Sequence, residues 1–163
     1  MDKLVHTVQV NVFETNQNSL QSIKDLYHKM LPIDHSKEQV EIDYEQLQGF
    51  NQKIIHSLTL TTIKNRHNSL ILNTIFTSLP TKSINKIIDQ IETRVNHEGN
   101  LFLRLDKPSL LNNSYRLIDH GNCFHIKIKL AAFPANKDNY LKSSYKLLTL
   151  YLESNDDEKK EKD

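Results

Sequence analysis

Apolar and polar residues alternate over six stretches of the chain, and side chains on a strand change face with a period of two. The clearest is Asn100–Lys107: Leu101, Leu103 and Leu105 take one side, and Phe102, Arg104 and Asp106 the other. Gly99 marks the turn into it, and Pro108, which cannot donate to a ladder, ends it. Leu4–Phe13 repeats the pattern, with Leu4, Val8, Val10 and Val12 opposite Thr7, Gln9 and Asn11. Val40–Glu45 has acids at every outward position, as on an exposed edge strand. Ile54–Ile63 sets Ile55, Ser57, Thr59 and Thr61 against Ile54, His56, Leu58 and Leu60. Ser114–Ile118 and Cys123–Leu130 read as a hairpin about Asp119–Asn122. In its second arm Phe124, Ile126, Ile128 and Leu130 face the core, and His125, Lys127 and Lys129 face out.

Spacings of three and four predict helices between these strands. Leu20, Ile23, Leu26, Tyr27, Met30 and Leu31 form one, capped by the polar run Asn16–Ser19 and stopped at Pro32. Ile71, Leu72, Ile75, Phe76 and Leu79 form a second, ended by Pro80. Ile84, Ile87, Ile88, Ile91 and Val95 give a third, with Thr81 as its N-cap. Leu141, Tyr145, Leu148 and Leu152 give the last. The order β-α-β-β-α-α-β-β-β-α does not alternate strictly. It predicts an α+β fold: two layers, a largely antiparallel sheet, and helices on one face. The one-sided strands then have a simple cause, since the other sheet face meets water.

At 163 residues the chain is long enough for one domain with a real core, expected over 1–152. Net charge is +1, but Glu153–Asp163 holds six acids and three lysines, leaving 18 basic against 14 acidic residues in the body. That segment has no apolar residues and is expected to be a disordered acidic tail. A mildly basic body is compatible with nucleic acid. Cys123 is the single cysteine, so no disulfide forms within the chain. Met1-Asp2-Lys3-Leu4 is not a signal peptide, and no apolar run reaches the roughly 20 residues of a membrane helix. A cytoplasmic protein with no membrane contact is expected.

The open sheet face carries hydrogen-bonding and cationic residues, the types that meet phosphate and ribose. Only Phe102 there could stack on a base, unlike the several aromatics of an RNA-recognition-motif sheet. Arg104 and Asp106 share the face, so Arg104 is either paired with Asp106 or open to phosphate. His120-x-x-Cys123-x-His125 lacks the second cysteine or further ligand that zinc needs. Glycines at 49, 99 and 121 make no phosphate-cradling loop, no nucleophile–base pair stands out, and neither a cofactor nor catalysis is expected.

Asn100-Leu101-Phe102-Leu103-Arg104-Leu105-Asp106-Lys107 resembles the signature of a small archaeal family described as a predicted RNA-binding subunit associated with the exosome. Where that family continues with Gln, this chain has Pro108. Its Gly-rich turn with Asn-Pro-Ile is matched by Gly49-Phe50-Asn51-Gln52-Lys53-Ile54, without the second Gly or the Pro. Phe124–Lys129 is also similar to its closing strand. The resemblance implies a fold like that of the ribosomal protein that binds 5S RNA. It also implies RNA binding in the setting of RNA processing or ribosome function. The implied partners are structured RNA, ribosomal RNA included, and exosome or ribosomal proteins. The candidate RNA-contacting residues are Arg104, Lys107, Lys127, Lys129, His125, Phe102, Asn51 and Lys53. The competing expectation is a protein-interaction module that docks through its sheet edge or acidic tail and touches no RNA.

Overall fold

A computed structural model describes residues 3–162, with side chains described as far as Asn155. Five strands, β1 (Val5–Glu14), β2 (Ile42–Gln48), β3 (Ile54–Thr62), β4 (Asn100–Asp106) and β5 (Cys123–Leu130), form one sheet in the order β2-β3-β1-β5-β4. Every neighbouring pair is antiparallel. The helices are α1 (Leu20–Met30), α2 (Asn65–Ser78), α3 (Thr81–Asp89), α4 (Ile91–Arg94), α5 (Lys107–Leu111) and α6 (Lys137–Lys162). The α+β class and the antiparallel sheet are as the sequence predicts. No described helix is long and apolar enough to cross a membrane.

One face of the sheet carries the core. Val8, Val10 and Val12, Leu58 and Leu60, Leu101, Leu103 and Leu105, and Phe124, Ile126 and Ile128 are all buried. They pack against Ile23 and Tyr27 of α1, Ile71, Ile75 and Phe76 of α2, Ile84 and Ile87 of α3, and Leu147 and Leu148 of α6. Each such side chain contributes about 1.5–3 kcal/mol on leaving water, so a one-residue slip of any central strand is strongly penalised. Two polar side chains tie the helical layer to the sheet. The Tyr27 hydroxyl, its pKa pushed up by burial, donates to Leu58 O at 2.9 Å. Asn68 accepts from Thr62 Oγ1 at 2.6 Å and donates to His6 O at 2.9 Å, joining α2 to β1 and β3.

Four readings of the sequence are corrected. Ser114–Ile118 is not a strand of a hairpin with β5. It crosses the outer edge of β4 through one bridge, Leu105 to Leu117, and β5 lies inside the sheet between β1 and β4. The third apolar stripe is broken at Gln90, so α3 and α4 are separate. Val95, at its end, is extended and bridges to Leu101. The connector after Asp106 is the short helix α5, with Pro108 in its first turn and the Asp106 carboxylate accepting from Ser109 N at 3.1 Å. On α6 the buried apolar side chains are Tyr140, Leu147 and Leu148, while Tyr145 is exposed. That helix also passes Glu153, where the sequence reading ended it. The expected disordered tail falls mostly on 156–163, whose side chains lie outside the described residues.

Candidate nucleic-acid interface

The second face of the sheet has no core. Pairing registers assemble it in rows: Arg104 opposite His125, His125 opposite Asn11, and Asn11 opposite Thr59. The next row runs Phe102, Lys127, Gln9 and Thr61. Directly opposed side chains on an antiparallel pair lie about 4.5–5.5 Å apart at Cβ, so Phe102, Arg104, His125 and Lys127 are one cluster. Phe102 is 42% exposed, and Arg104, His125 and Lys127 are exposed. With Gln9 and Asn11 they line a shallow hollow of about 310 Å³.

The face is polarised. Asn11 Nδ2 donates to Ser57 Oγ at 3.0 Å and Thr59 Oγ1 at 2.7 Å, so these three polar groups meet one another across β1 and β3. Asp43 and Glu45 sit on this face at the far edge, opposite Thr59 and Ser57. Between β2 and β5 lie three strand spacings, roughly 14 Å, which exceeds the Debye length of about 8–10 Å at cellular salt. The acids on β2 therefore do not neutralise the cations on β5 and β4.

Arg104 does not pair with Asp106. The Asp106 carboxylate caps α5 and accepts from Ser109 N and Oγ, contacts that hold it below the usual carboxylate range. Arg104 Nη1 turns outward and donates to Asp119 O at 2.5 Å. Around it stand two cations from outside the sheet. Lys86 Nζ on α3 meets Asp119 Oδ2 at 3.0 Å, and Arg94 Nη2 on α4 lies 3.5 Å from Asp119 Oδ1. Arg94 is 12% exposed, and burial lowers its pKa. It is held by Gln90 Oε1 at 2.7 and 3.0 Å and by Phe102 O at 3.3 Å. Lys86 and Arg94 were absent from the sequence-based candidates. Their only signal was their place on the polar side of the isoleucine stripe, which does not reveal proximity to β4.

Of the eight candidates, four meet in the sheet cluster: Phe102, Arg104, His125 and Lys127. Lys129 follows on β5 at the rim, where its ammonium donates to Glu98 O and lies 5.6 Å from the Tyr140 ring centre. Lys107 is elsewhere. Its side chain is 7% exposed, pairs with the Glu14 carboxylate and donates to Phe13 O at 2.9 Å. Asn51 and Lys53 are exposed on the β2–β3 turn, where Gly49 N donates to Lys53 O at 2.7 Å. Asn51 and Gln52 both take positive φ there, so the turn closes without the second Gly or the Pro.

His125 has its pKa lowered by burial and then by Arg104. It is therefore a neutral hydrogen-bonding partner at pH 7. Cys123 Sγ lies 3.6 Å from His125 Nε2, but burial pushes the thiol up, so this pair holds no ready thiolate. The site offers cations, a ring and hydrogen-bonding groups on an open surface.

A family model described as RNA binding matches residues 6–130. No curated protein matches the sequence. Solved structures share the fold. A DUF54 protein from Methanothermobacter thermautotrophicus is 22% identical over 90% of this chain and 99% of its own, with a TM-score of 0.71. A DUF54 protein from Archaeglobus fulgidus is 15% identical over 88% and 99%, with a TM-score of 0.75. A UPF0201 protein from Methanococcus jannaschii is 10% identical over 85% and 98%, with a TM-score of 0.52.

Proposed function

We propose, from the premise that the chain belongs to the RNA-binding family whose model spans 6–130, that it is a non-catalytic protein that holds RNA on its open sheet face. The setting we propose is RNA processing or ribosome function. The observation that carries this reading is the convergence of Phe102, Arg104, His125 and Lys127 on adjacent strands, with the opposing acids three or more strands away. Arg104 and Lys127 would meet phosphates. His125 would hydrogen-bond ribose or phosphate, and Phe102 would stack under one base, a contact worth about 1–3 kcal/mol per base. Lys129 would add charge at the rim, and Asn51 and Lys53 would contribute only where RNA extends past the β1–β3 half. Lys107 is assigned to the scaffold.

Each neutralised phosphate releases counterions. Three or four contacts to single-stranded segments should give a log affinity–log salt slope of about −2 to −3, at roughly 0.7 per contact. Fluorescence anisotropy with a structured RNA containing unpaired loops measures it. Charge reversal at Lys127 and Lys129 should weaken binding and flatten the slope. Unchanged affinity in that variant, or no binding at low salt, rejects the reading.

A protein-docking role is favoured by a different observation. Tyr44 and Leu47 on β2 and Ile54 at the start of β3 are exposed, and Phe50 at the turn is 97% exposed. Recovery of protein partners after nuclease treatment, with no RNA bound by the purified chain, would select that role.

A further inference from the structure

Two cations outside the sheet cluster, Lys86 and Arg94, converge on one carboxylate beyond the β4 edge, beside Arg104. Lys86 from α3 and Arg94 from α4 meet the Asp119 carboxylate, and Arg104 from β4 donates to the main-chain carbonyl of the same residue, which follows the Leu117 bridge. Side-chain exposure is 42% at Lys86 and 51% at Asp119, so solvent reaches the group. The local charge is three positive against one negative. Burial lowers the Arg94 pKa, the Asp119 charge opposes that shift, and the Arg104 charge adds to it. The Lys86 hydrogen bond, then the Lys86 and Arg94 charges, hold the Asp119 carboxyl below its usual range, so it is an anion at neutral pH. Arg94 is aimed before any ligand arrives, by Gln90 and by Phe102 O. Arg94, Arg104 and Asp119 line a hollow of about 370 Å³ that shares Phe102 and Arg104 with the hollow on the sheet face. Phe102 is therefore a ridge with Lys127 on one side and this triad on the other.

A carboxylate held by two cationic donors has the charge and hydrogen-bond demand of a phosphodiester. We propose that Lys86, Arg94 and Arg104 form a phosphate subsite for an RNA strand leaving the sheet across β4, and that in the free protein the Asp119 carboxylate occupies the Lys86 and Arg94 donors. The proposal rests on the RNA reading above. Binding exchanges one anion for another: the phosphodiester takes the ammonium and guanidinium donors, and the Asp119 carboxylate moves into water. Leu105 and Leu117 keep their bridge, and Gly121, with φ +110° and open space about it, lies two residues beyond Asp119.

The test is RNA affinity by anisotropy on the full chain. Asp119→Asn should tighten binding about fivefold, because the resident anion no longer competes. Asp25→Asn, on the exposed side of α1, makes the same net charge change away from the site and should leave affinity nearly unchanged. Lys86→Gln should weaken binding and reduce the salt slope by about one phosphate contact. Thermal melts confirm that each variant is folded. The subsite is overturned, with the sheet reading intact, if Lys127→Glu weakens binding while Lys86→Gln does not. It is also overturned if Asp119→Asn acts no differently from Asp25→Asn or lowers affinity. No binding by the unmodified chain overturns both.

Discussion

Arg104, Asp106 and Lys107 stand within four residues of sequence and serve three different ends. Arg104 lies on the open face and reaches outward, Asp106 caps a helix, and Lys107 is buried in an ion pair with Glu14. Strand parity places Arg104 correctly because it lies inside the strand. It fails for Lys107, since the chain turns into α5 there and alternation no longer gives direction. Burial raises the Glu14 carboxyl pKa, but the Lys107 ammonium and the Asn16 and Thr15 amides outweigh it, and the net shift is downward. A lowered folded pKa means the unfolded chain binds the proton more readily. The pair's stabilisation is thus complete above the unfolded value near 4.5 and lost as pH falls through the lower folded value. Removing one partner strands the other charge, so Lys107→Ala should cost about 3–5 kcal/mol in urea unfolding at pH 7. The RNA affinity of the folded fraction should be unaltered. An affinity loss with stability preserved would return Lys107 to the binding set.

At the scale of elements, the strands with one apolar face were legible, because burial on one side enforces period two. The four helical stripes that pack on the sheet were legible for the same reason at period 3.6, apart from the break at Gln90 and the rotation of α6. Ser114–Ile118 misled because Tyr115 and Leu117 alternate like a strand yet are partly buried with a single bridge. Alternation reports burial on one side, not membership of a ladder. Gly99 was read as a turn, and the structure adds a reason for glycine. Its φ is +85°, and a Cβ there would fall 2.4 Å from Tyr140 Cε1 on α6. Gly99→Ala should therefore destabilise by about 1–3 kcal/mol, through positive φ and the clash together. A melting temperature equal to that of the unmodified chain would show that α6 yields freely at this contact. Lys86 and Arg94 belong to this scale as well. Their meeting with Arg104 depends on how α3 and α4 pack beside the edge strand, and no periodicity encodes that.

For the whole molecule, the proposed function rests on charge separated across a two-layer fold. Helices cover one sheet face and leave the other free, and strand order places the acids of β2 and the cations of β5 and β4 at opposite ends of it. Net charge near zero conceals this, because +1 for the chain averages a polarised surface. Strand order was the missing information. The acids of Glu41–Glu45 weigh against binding only if β2 adjoins the basic strands, and it does not. The most direct measurement is a chemical-shift map of the backbone amides during titration with RNA. The account predicts that the largest changes fall on Phe102, Arg104, His125 and Lys127 and continue to Asp119. Changes confined to the helical face, or to β2 and the Phe50 turn, would contradict it.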